Sequence, residues 1–442
     1  MSEARRSSSS FRTSASRLSS GRRSSSRAPK PILVPKYAVA NEESHKGEDF
    51  HREEVAEACS AFAVFDGHGS KDFARAAAAS DGMLSRFLSQ GGTTPAQLSD
   101  TAVQDTFWEV DAAIGEELAE RGLHGGAVCG VLLVDHAESY ACTLAWVGDS
   151  TAIVVDMRAK AEYDSGGFLN CGRNALLDAT ENHSACVAEE KATVERMAAV
   201  CKQIRKGAKE AARAAAGMAA AADDGSGSDD EKVSIPGYDG KNFEAPTAEE
   251  VAAACAKLGH SASDAEVAHM TRAFARERRI YKAIPKSSKY RRNAYVRARP
   301  KEKDQNQPVV VATHADPYSS HYKDLQMTRS LGDWTKSAWV LPHPQLRRFT
   351  VPHDESRRVV IASDGLWDII SAEDGAAIAR QHDEPQAAAD ALLAVAQHEY
   401  HEVRGLEKMG DDTTVVVVDL NPGGLAYEDP IKGMGGVCCA VL

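Results

Sequence analysis

The sequence lacks the features that mark membrane-spanning and disulfide-rich proteins. Its 442 residues contain no apolar run that approaches the roughly 20 residues a transmembrane helix needs. No hydrophobic signal-peptide core lies near the start, and no two of the nine cysteines form a CxxC pair. Neither a disulfide framework nor a zinc site is indicated, so we expect a reducing, cytoplasmic compartment.

The chain has fewer basic than acidic residues, which gives it a net charge of -12 at pH 7. This balance disfavours nucleic acid as a partner of the chain as a whole. Hydrophobic residues make up 43% of the sequence and charged residues 26%, which is typical of a soluble globular protein.

Residues 1–36 form a tail rich in Ser and Arg, with the stretch RRSSSSFRTSASRLSSGRRSSSR. Too few apolar residues are present to offset the entropy of ordering this segment, which predicts a disordered tail. The same composition is found in organelle transit peptides, and that alternative stays open.

Residues 37–421 have the pattern of a globular domain. Runs rich in Val, Ile and Ala predict strands at AFAVF, CGVLLV, YACTLAWVG, TAIVV, RVVIAS and TVVVVDL. Because several of these runs follow one another closely, we expect antiparallel sheets covered by helices, an α+β architecture. One covering helix is predicted where Phe107, Val110, Ile114 and Leu118 share a face.

The segment at about 200–305 differs from the rest and is interpreted as a large helical insertion. A long Ala-rich helix beginning near residue 188 leads into it, followed by the acidic linker DDGSGSDDE. Two helices with the N-cap residues Thr247 and Ser263 come next.

The insertion ends in a basic run, Arg272 to Lys303, that carries three tyrosines. No nucleic-acid-binding motif accompanies this charge. A solvated surface, or docking to an acidic partner or an anionic lipid, is therefore favoured over nucleic-acid binding.

Acidic residues stand at the ends of the predicted strands. They are Glu48, Asp49, Asp66, Asp149, Asp364, Asp368, Asp411 and Asp412. Buried carboxylates are costly unless they are paired or bind a metal, and several that converge repel one another. Hard divalent cations with oxygen ligands relieve this repulsion. Each Asp-Gly step alone favours a turn, but several together favour a metal site.

Five motifs, FAVFDGHG, VGDS, LQMTRSLGDW, ASDGLWDII and GDDTTVVVV, stand in the order found in the PPM family, the metal-dependent type 2C protein phosphatases. The chain resembles that family over roughly 37–199 and 306–420. The resemblance implies two stacked antiparallel β-sheets flanked by helices, a four-layer sandwich with a metal site at one end. It also implies Mn²⁺ or Mg²⁺ as cofactor and phosphoserine and phosphothreonine in proteins as substrates.

The resemblance implies a role for each strand-end residue. The ligands of two metal ions would be Glu48, Asp66, the Gly67 carbonyl, Asp364 and Asp411, and Asp66 would bridge the two ions. Asp149 and Asp368 would bind a third ion more weakly. Asp49 would support the metal-bound waters, and Asp412 would hold a turn. A water between two divalent ions loses a proton near neutral pH, and the hydroxide can attack phosphorus. His68 would protonate the leaving oxygen. From the residues alone, His68 would be interpreted as a turn histidine.

One position departs from the family pattern. Where the family often has an arginine that binds the substrate phosphate, this chain has Ser44. On an extended strand Ser44, Lys46 and Glu48 would share a face, so Lys46 could supply the positive charge without bidentate geometry. A solvent-facing lysine is the alternative. The missing arginine and the large insertion keep open a catalytically silent scaffold that binds phosphoproteins. A metal phosphoesterase that acts on small molecules is a third possibility.

The C-terminal tail, residues 422–442, ends in GGVCCAVL. Cys439 begins a prenylation box whose terminal Leu favours geranylgeranyl, and Cys438 could carry a second lipid. Because one lipid anchors a protein only marginally, the basic N-terminal tail would add attraction to the cytoplasmic face of a membrane. An unmodified flexible tail is the alternative.

Overall fold

A computed structural model of the chain describes residues 34–56, 58–90, 94–136, 139–157, 162–163, 169–170, 175–184, 187–218, 245–283, 296–299, 310–313, 325, 327–334, 340–352 and 355–421. The predicted disordered tail lies outside these residues up to position 33, and the predicted C-terminal tail lies outside them entirely, with Cys438 and Cys439. Half of the predicted basic run also lies outside them.

The strands pair as antiparallel neighbours, as the sequence predicts. They are β1 (Lys36–Glu42), β2 (Phe50–Val55), β3 (Cys59–His68), β4 (Gly126–Asp135), β5 (Tyr140–Val147), β6 (Thr151–Asp156), β7 (Glu162–Tyr163), β8 (Leu169–Asn170), β9 (Leu176–Ala179), β10 (Val296–Arg299), β11 (Val310–Thr313), β12 (Leu331–Gly332), β13 (Gln345–Val351), β14 (Arg357–Ala362) and β15 (Thr413–Leu420). One sheet has the order β1–β15–β14–β6–β9, and the other has the order β13–β5–β4–β3–β2 with β12 beside β4.

The helices are α1 (Asp72–Ala77), α2 (Met83–Leu88), α3 (Asp100–Glu120), α4 (Ala188–Ala215), α5 (Ala248–Lys257), α6 (Asp264–Ala283), α7 (Asp364–Trp367), α8 (Ala372–Arg380) and α9 (Pro385–Gln397). The predicted N-caps are confirmed at Thr247 and Ser263, whose side chains accept hydrogen bonds from the backbone at the third residue of each helix. Among the described helices, none is both long enough and apolar enough to span a lipid bilayer.

Alternation along the strands creates the layers. Along β3, Phe62 and Val64 are buried between the two sheets, whereas Ala61, Ala63 and Phe65 are buried against the helices on the outer face. Because both faces of this strand are covered, it forms a continuous apolar run rather than alternating with polar residues.

Helices cover the outer face of each sheet. Phe73 of α1 and Phe107 of α3 pack on the sheet that contains β3. Leu392 of α9 packs with Val417 of β15 on the other sheet. The predicted fold class, two stacked antiparallel sheets flanked by helices, is confirmed.

A further apolar cluster joins α3 to α4, α5 and α6. Trp108 of α3 contacts this cluster, to which Val200, Val251 and Phe274 contribute one side chain from each of the other helices. The helix α3 therefore buries one face against a sheet and another against the added helices. The boundaries of the predicted insertion at about 200–305 stay a prediction.

We predict that Val416→Ala lowers the free energy of unfolding by about 2 kcal/mol, because it removes two carbons from the layer between the sheets and leaves a cavity. Val403→Ala is the matched control, since Val403 is 62% exposed, and its effect should stay below about 0.5 kcal/mol. Urea denaturation followed by circular dichroism measures both, and equal midpoint shifts would contradict the layer arrangement.

Candidate metal centre

Antiparallel register brings the acidic strand ends to one edge of the sandwich. Phe50 at the start of β2 pairs with Phe65 near the end of β3. Ala362 at the end of β14 pairs with Val415 near the start of β15. The residues just before β2 and β15 therefore lie beside those at the ends of β3 and β14.

Most carboxyls at this edge have a raised pKa. They are Glu48, Asp49, Asp66, Asp149, Asp364 and Asp368. Burial is the largest cause for each one. The next largest cause is the charge of Asp364 for Asp66, and the charge of Asp149 for Asp364. These carboxylates lie close enough for their negative charges to repel one another.

The chemistry of these donors fits a hard divalent cation. The donors are carboxylate oxygens, and Asp49 Oδ2 is buried without a hydrogen-bond partner in the part of the chain that is described. Burial raises the pKa of Asp49 to about 7, with the charges of Asp412 and Asp411 adding to the rise. A cation would offset both the unpaired oxygen and the repulsion. Among the described residues, no group of three His, Cys, Asp or Glu side chains is arranged to hold a metal ion.

The segment between β1 and β2 is an irregular loop, so the prediction of an extended strand at Ser44–Glu48 is wrong. Asp412 holds this loop. Its Oδ1 accepts hydrogen bonds from the backbone N–H groups of Ser44 at 2.5 Å and Gly47 at 3.2 Å, and its Oδ2 accepts one from Glu48 at 2.6 Å. Although burial opposes ionisation, these hydrogen bonds lower the pKa of Asp412. The turn that Asp412 holds thus lies far from Asp412 itself in the sequence.

Lys46 points into the site. Its Nζ lies 2.7 Å from both carboxylate oxygens of Asp411. Partial burial opposes the charge, but the hydrogen bond and charge of Asp411 outweigh it and raise the pKa of Lys46. The Lys46 side chain is 37% exposed, so it pairs with Asp411 at the rim of the site and remains in contact with solvent.

His68 is held by an acidic residue that the sequence analysis did not assign. Its Nε2 lies 2.6 Å from Oδ2 of Asp333, which also accepts a hydrogen bond from Ser330 Oγ at 2.5 Å. Burial lowers the pKa of His68, but the charge and hydrogen bond of Asp333 outweigh burial and raise it. Nδ1 of His68 is buried and has no hydrogen-bond partner among the described residues. Asp333 lies in the motif LQMTRSLGDW, which is the signal in the sequence that could have identified it.

Two glycines allow the close packing of the site. A Cβ atom at Gly126 would lie 2.4 Å from Asp333 Oδ2 and 2.5 Å from His68 Nε2. A Cβ atom at Gly67 would lie 2.5 Å from the Glu48 carbonyl oxygen, which accepts a hydrogen bond from the Gly67 N–H at 3.2 Å. Any other residue at these positions would displace the groups that carry the chemistry.

Comparison with known families decides the classification. The family model described as protein phosphatase 2C matches residues 37–164 and 305–402, together just over half of the chain. The chain belongs to the protein phosphatase 2C family. Members of this family are metal-dependent protein phosphatases, so hydrolase activity and metal binding are properties of the family to which the chain belongs.

Solved structures that resemble the chain are distant in sequence. A serine-threonine phosphatase 2C from Toxoplasma gondii is 15% identical with a TM-score of 0.44, over 89% of this chain and 96% of that one. The Mycobacterium tuberculosis phosphatase PstP is 16% identical with a TM-score of 0.38, over 88% and 99%. A PstP catalytic domain in complex with 2 manganese ions is 14% identical with a TM-score of 0.39, over 88% and 98%. No curated protein sequence matches the chain significantly.

We predict that, in EDTA, the free energy of unfolding of Asp49→Asn rises relative to that of the wild type as the pH increases from about 5 to about 8. The folded wild type holds its Asp49 proton up to about pH 7 and the unfolded chain releases it near its ordinary value, so the ionised wild type is the less stable. The pKa values of His183, His269 and His343 are lowered and act oppositely on stability, but they cancel in the comparison.

Urea midpoints across this pH range measure the difference. The exposed Asp81 supplies the control Asp81→Asn, whose difference from the wild type should not change with pH. Adding Mn²⁺ should stabilise the wild type more than Asp49→Asn. A difference for Asp49→Asn that is flat with pH would show that this carboxylate tolerates its charge.

Proposed function

We propose that the chain hydrolyses phosphoserine and phosphothreonine in proteins as a metal-dependent phosphatase. The observation that carries this proposal is the set of carboxyls with raised pKa at one edge of the sandwich, beside a histidine that Asp333 orients. Carboxylates that repel one another suit divalent cations, and the histidine suits a departing alcohol. Phosphoproteins are the proposed substrates.

The metal ligands proposed are Glu48, Asp66, the Gly67 carbonyl, Asp364 and Asp411 for two Mn²⁺ or Mg²⁺ ions, with Asp149 and Asp368 at a third. When bound, the ions would activate a water molecule as the nucleophile and neutralise charge on the phosphoryl oxygens. Asp412 contributes by fixing the loop that carries Glu48. None of the cysteines lies in a CxxxxxR phosphatase loop, so we propose direct attack without a covalent enzyme intermediate.

His68 would donate a proton to the leaving oxygen of serine or threonine. These alkoxides are poor leaving groups, so the bond breaks more easily when the oxygen is protonated as it departs. Asp333 binds Nε2 and favours the protonated ring. Nδ1 is then the nitrogen that has a proton to give.

Lys46 is proposed to attract the substrate phosphate. Its ammonium group pairs with Asp411 at 2.7 Å, and Asp411 is itself a proposed ligand. Once Asp411 binds a metal ion, this ammonium group can turn to the phosphate at the same edge. It would act as a point charge, because lysine lacks the bidentate geometry of the family arginine.

A catalytically silent scaffold that binds phosphoproteins is the second candidate function. The Lys46–Asp411 ion pair favours it, since a protein ammonium group then neutralises a ligand position. Membrane attachment through lipids on Cys438 and Cys439, with a cytoplasmic location, is proposed from the sequence alone.

We predict that the wild type releases phosphate from a phosphothreonine peptide in the presence of Mn²⁺, and that EDTA abolishes the release. Asp66→Asn and Asp364→Asn should each reduce kcat/KM by at least about 100-fold, because each loses a charged metal ligand. The exposed Asp81→Asn is the matched control and should keep wild-type activity. A wild type that binds the phosphopeptide without releasing phosphate, with either Mn²⁺ or Mg²⁺, would support the scaffold instead.

We predict that Lys46→Ala raises KM for the phosphopeptide by about 5- to 50-fold, the effect of losing a charge-assisted contact with the phosphate. The change in kcat should be smaller, because the charge acts on phosphate binding. Lys257→Ala, which alters an exposed lysine at the end of α5, is the control. Steady-state kinetics over a range of peptide concentrations gives both constants, and an unchanged KM for Lys46→Ala would refute this role.

A further inference from the structure

The helix α6 contacts α3 through three arginine–carboxylate pairs. They are Arg272–Asp105 at 2.6 Å, Arg276–Asp111 at 2.8 Å and Arg279–Glu116 at 3.4 Å. The side chains of the central pair are 3% and 1% exposed, whereas the outer two pairs are open to solvent. Exposed ion pairs contribute little, so the central pair is the one with structural consequences.

Arg276 and Asp111 bind the two sides of Gly332, the residue before Asp333. Asp111 Oδ1 accepts a hydrogen bond from the Gly332 N–H at 2.8 Å. Arg276 Nη2 donates to the Gly332 carbonyl oxygen at 2.6 Å while also donating to Asp111 Oδ1 at 3.0 Å. The indole N–H of Trp334 donates to Asp111 Oδ2 at 3.2 Å. The Arg276–Asp111 pair thus binds the backbone before Asp333, at Gly332, and the side chain after it, at Trp334.

This support matters because the backbone at Asp333 is strained. Gly332 has a φ of 77° and Asp333 a φ of 58°, two consecutive residues in the left-handed region. A residue with a Cβ atom adopts this conformation only when its surroundings impose it. The result is an Asp333 carboxylate that lies 2.6 Å from His68 Nε2.

We propose that Arg276 is a positioning residue for the reaction: by binding the Gly332 carbonyl it holds Asp333 against His68, so the packing of α6 on α3 controls proton delivery to the leaving oxygen. This inference rests on the proposed phosphatase function. Arg276 lies in the helical segment that the sequence sets apart from the phosphatase motifs. A shift of α6 would reach His68 through a short series of hydrogen bonds.

The choice of arginine follows from the geometry. One guanidinium group donates to both oxygens of Asp111 and to the Gly332 carbonyl, which requires several N–H groups in one plane. The apolar residues Phe274 and Met270 bury the same helix against its neighbours. Arg276 therefore belongs to a helix that is fixed by packing, and its guanidinium group transmits that position to the turn.

The test compares two substrates that differ in their need for an acid. The double variant Arg276→Met/Asp111→Asn removes the buried pair without leaving an unpaired charge, and its amide oxygen can still accept from the Gly332 N–H. The methionine side chain that replaces Arg276 offers no donor to the Gly332 carbonyl. Serine and threonine need a proton to leave, whereas p-nitrophenolate leaves without one.

With the phosphothreonine peptide, kcat of the double variant should fall by about tenfold or more, the loss expected when a general acid is misplaced. With p-nitrophenyl phosphate, kcat should change less than about threefold, and KM should stay constant for both substrates. The control Arg279→Met/Glu116→Gln removes an exposed pair between the same helices and should leave both activities unchanged. Arg276→Lys keeps the charge and a group that can donate to the Gly332 carbonyl, so it should recover part of the peptide activity even if the double variant folds poorly.

Equal losses with both substrates in Arg276→Lys and in the double variant would reduce Arg276 to a merely structural role and overturn the inference. Unchanged peptide kcat in the double variant would overturn it too. If the wild type releases phosphate from neither substrate, the proposed function itself fails. If it cleaves both and only the substrate difference is missing, the inference fails alone.

Discussion

Repulsion among carboxylates at one edge of the sandwich is the constraint on which the rest of the site depends. Asp66, Asp364 and Asp149 each lie where burial and neighbouring negative charge raise the carboxyl pKa. Such an arrangement survives because the strands that carry these residues are buried on both faces and cannot move apart. The packing free energy of the fold offsets the electrostatic repulsion at the site, and a bound divalent cation would reduce that repulsion.

The carboxylates of the site fall into two electrostatic groups. Asp66 and Asp364, at the proposed metal positions, have a raised pKa, whereas Asp333 has a lowered one. Burial would raise the pKa of Asp333 as well, but the charge of His68 outweighs it, and Arg276 adds to the effect. The chain thus places its own cations beside the carboxylate that orients a proton donor. At the proposed metal positions Asp411 has such a cation, Lys46, but the repulsion between Asp66 and Asp364 remains.

Local patterns predicted the fold because they depend on nearby residues. The apolar runs identified β3 and β15, and the N-cap residues identified α5 and α6. The loop before β2 was predicted wrongly because its conformation depends on Asp412, which lies 368 positions from Ser44 in the sequence. The His68–Asp333 contact spans 265 positions and depends on a left-handed turn, and spacing in the sequence carries no such information. The metal ligands could be named only through the family resemblance, since register rather than sequence order places them together.

The loss of the family arginine at Ser44 bears on the choice between the two proposed functions, and the electrostatics of the site bears on whether Lys46 could replace metal ions. If Lys46 had replaced the metal ions, its charge should have relieved the repulsion at this edge. Its ammonium group contacts Asp411, yet the pKa values of Asp66 and Asp364 stay raised with Lys46 in place. One positive charge at the rim of the site is too little for this cluster, whereas two divalent ions carry four. The retained repulsion is what the proposed metal ions would relieve, with Lys46 at the rim of the site.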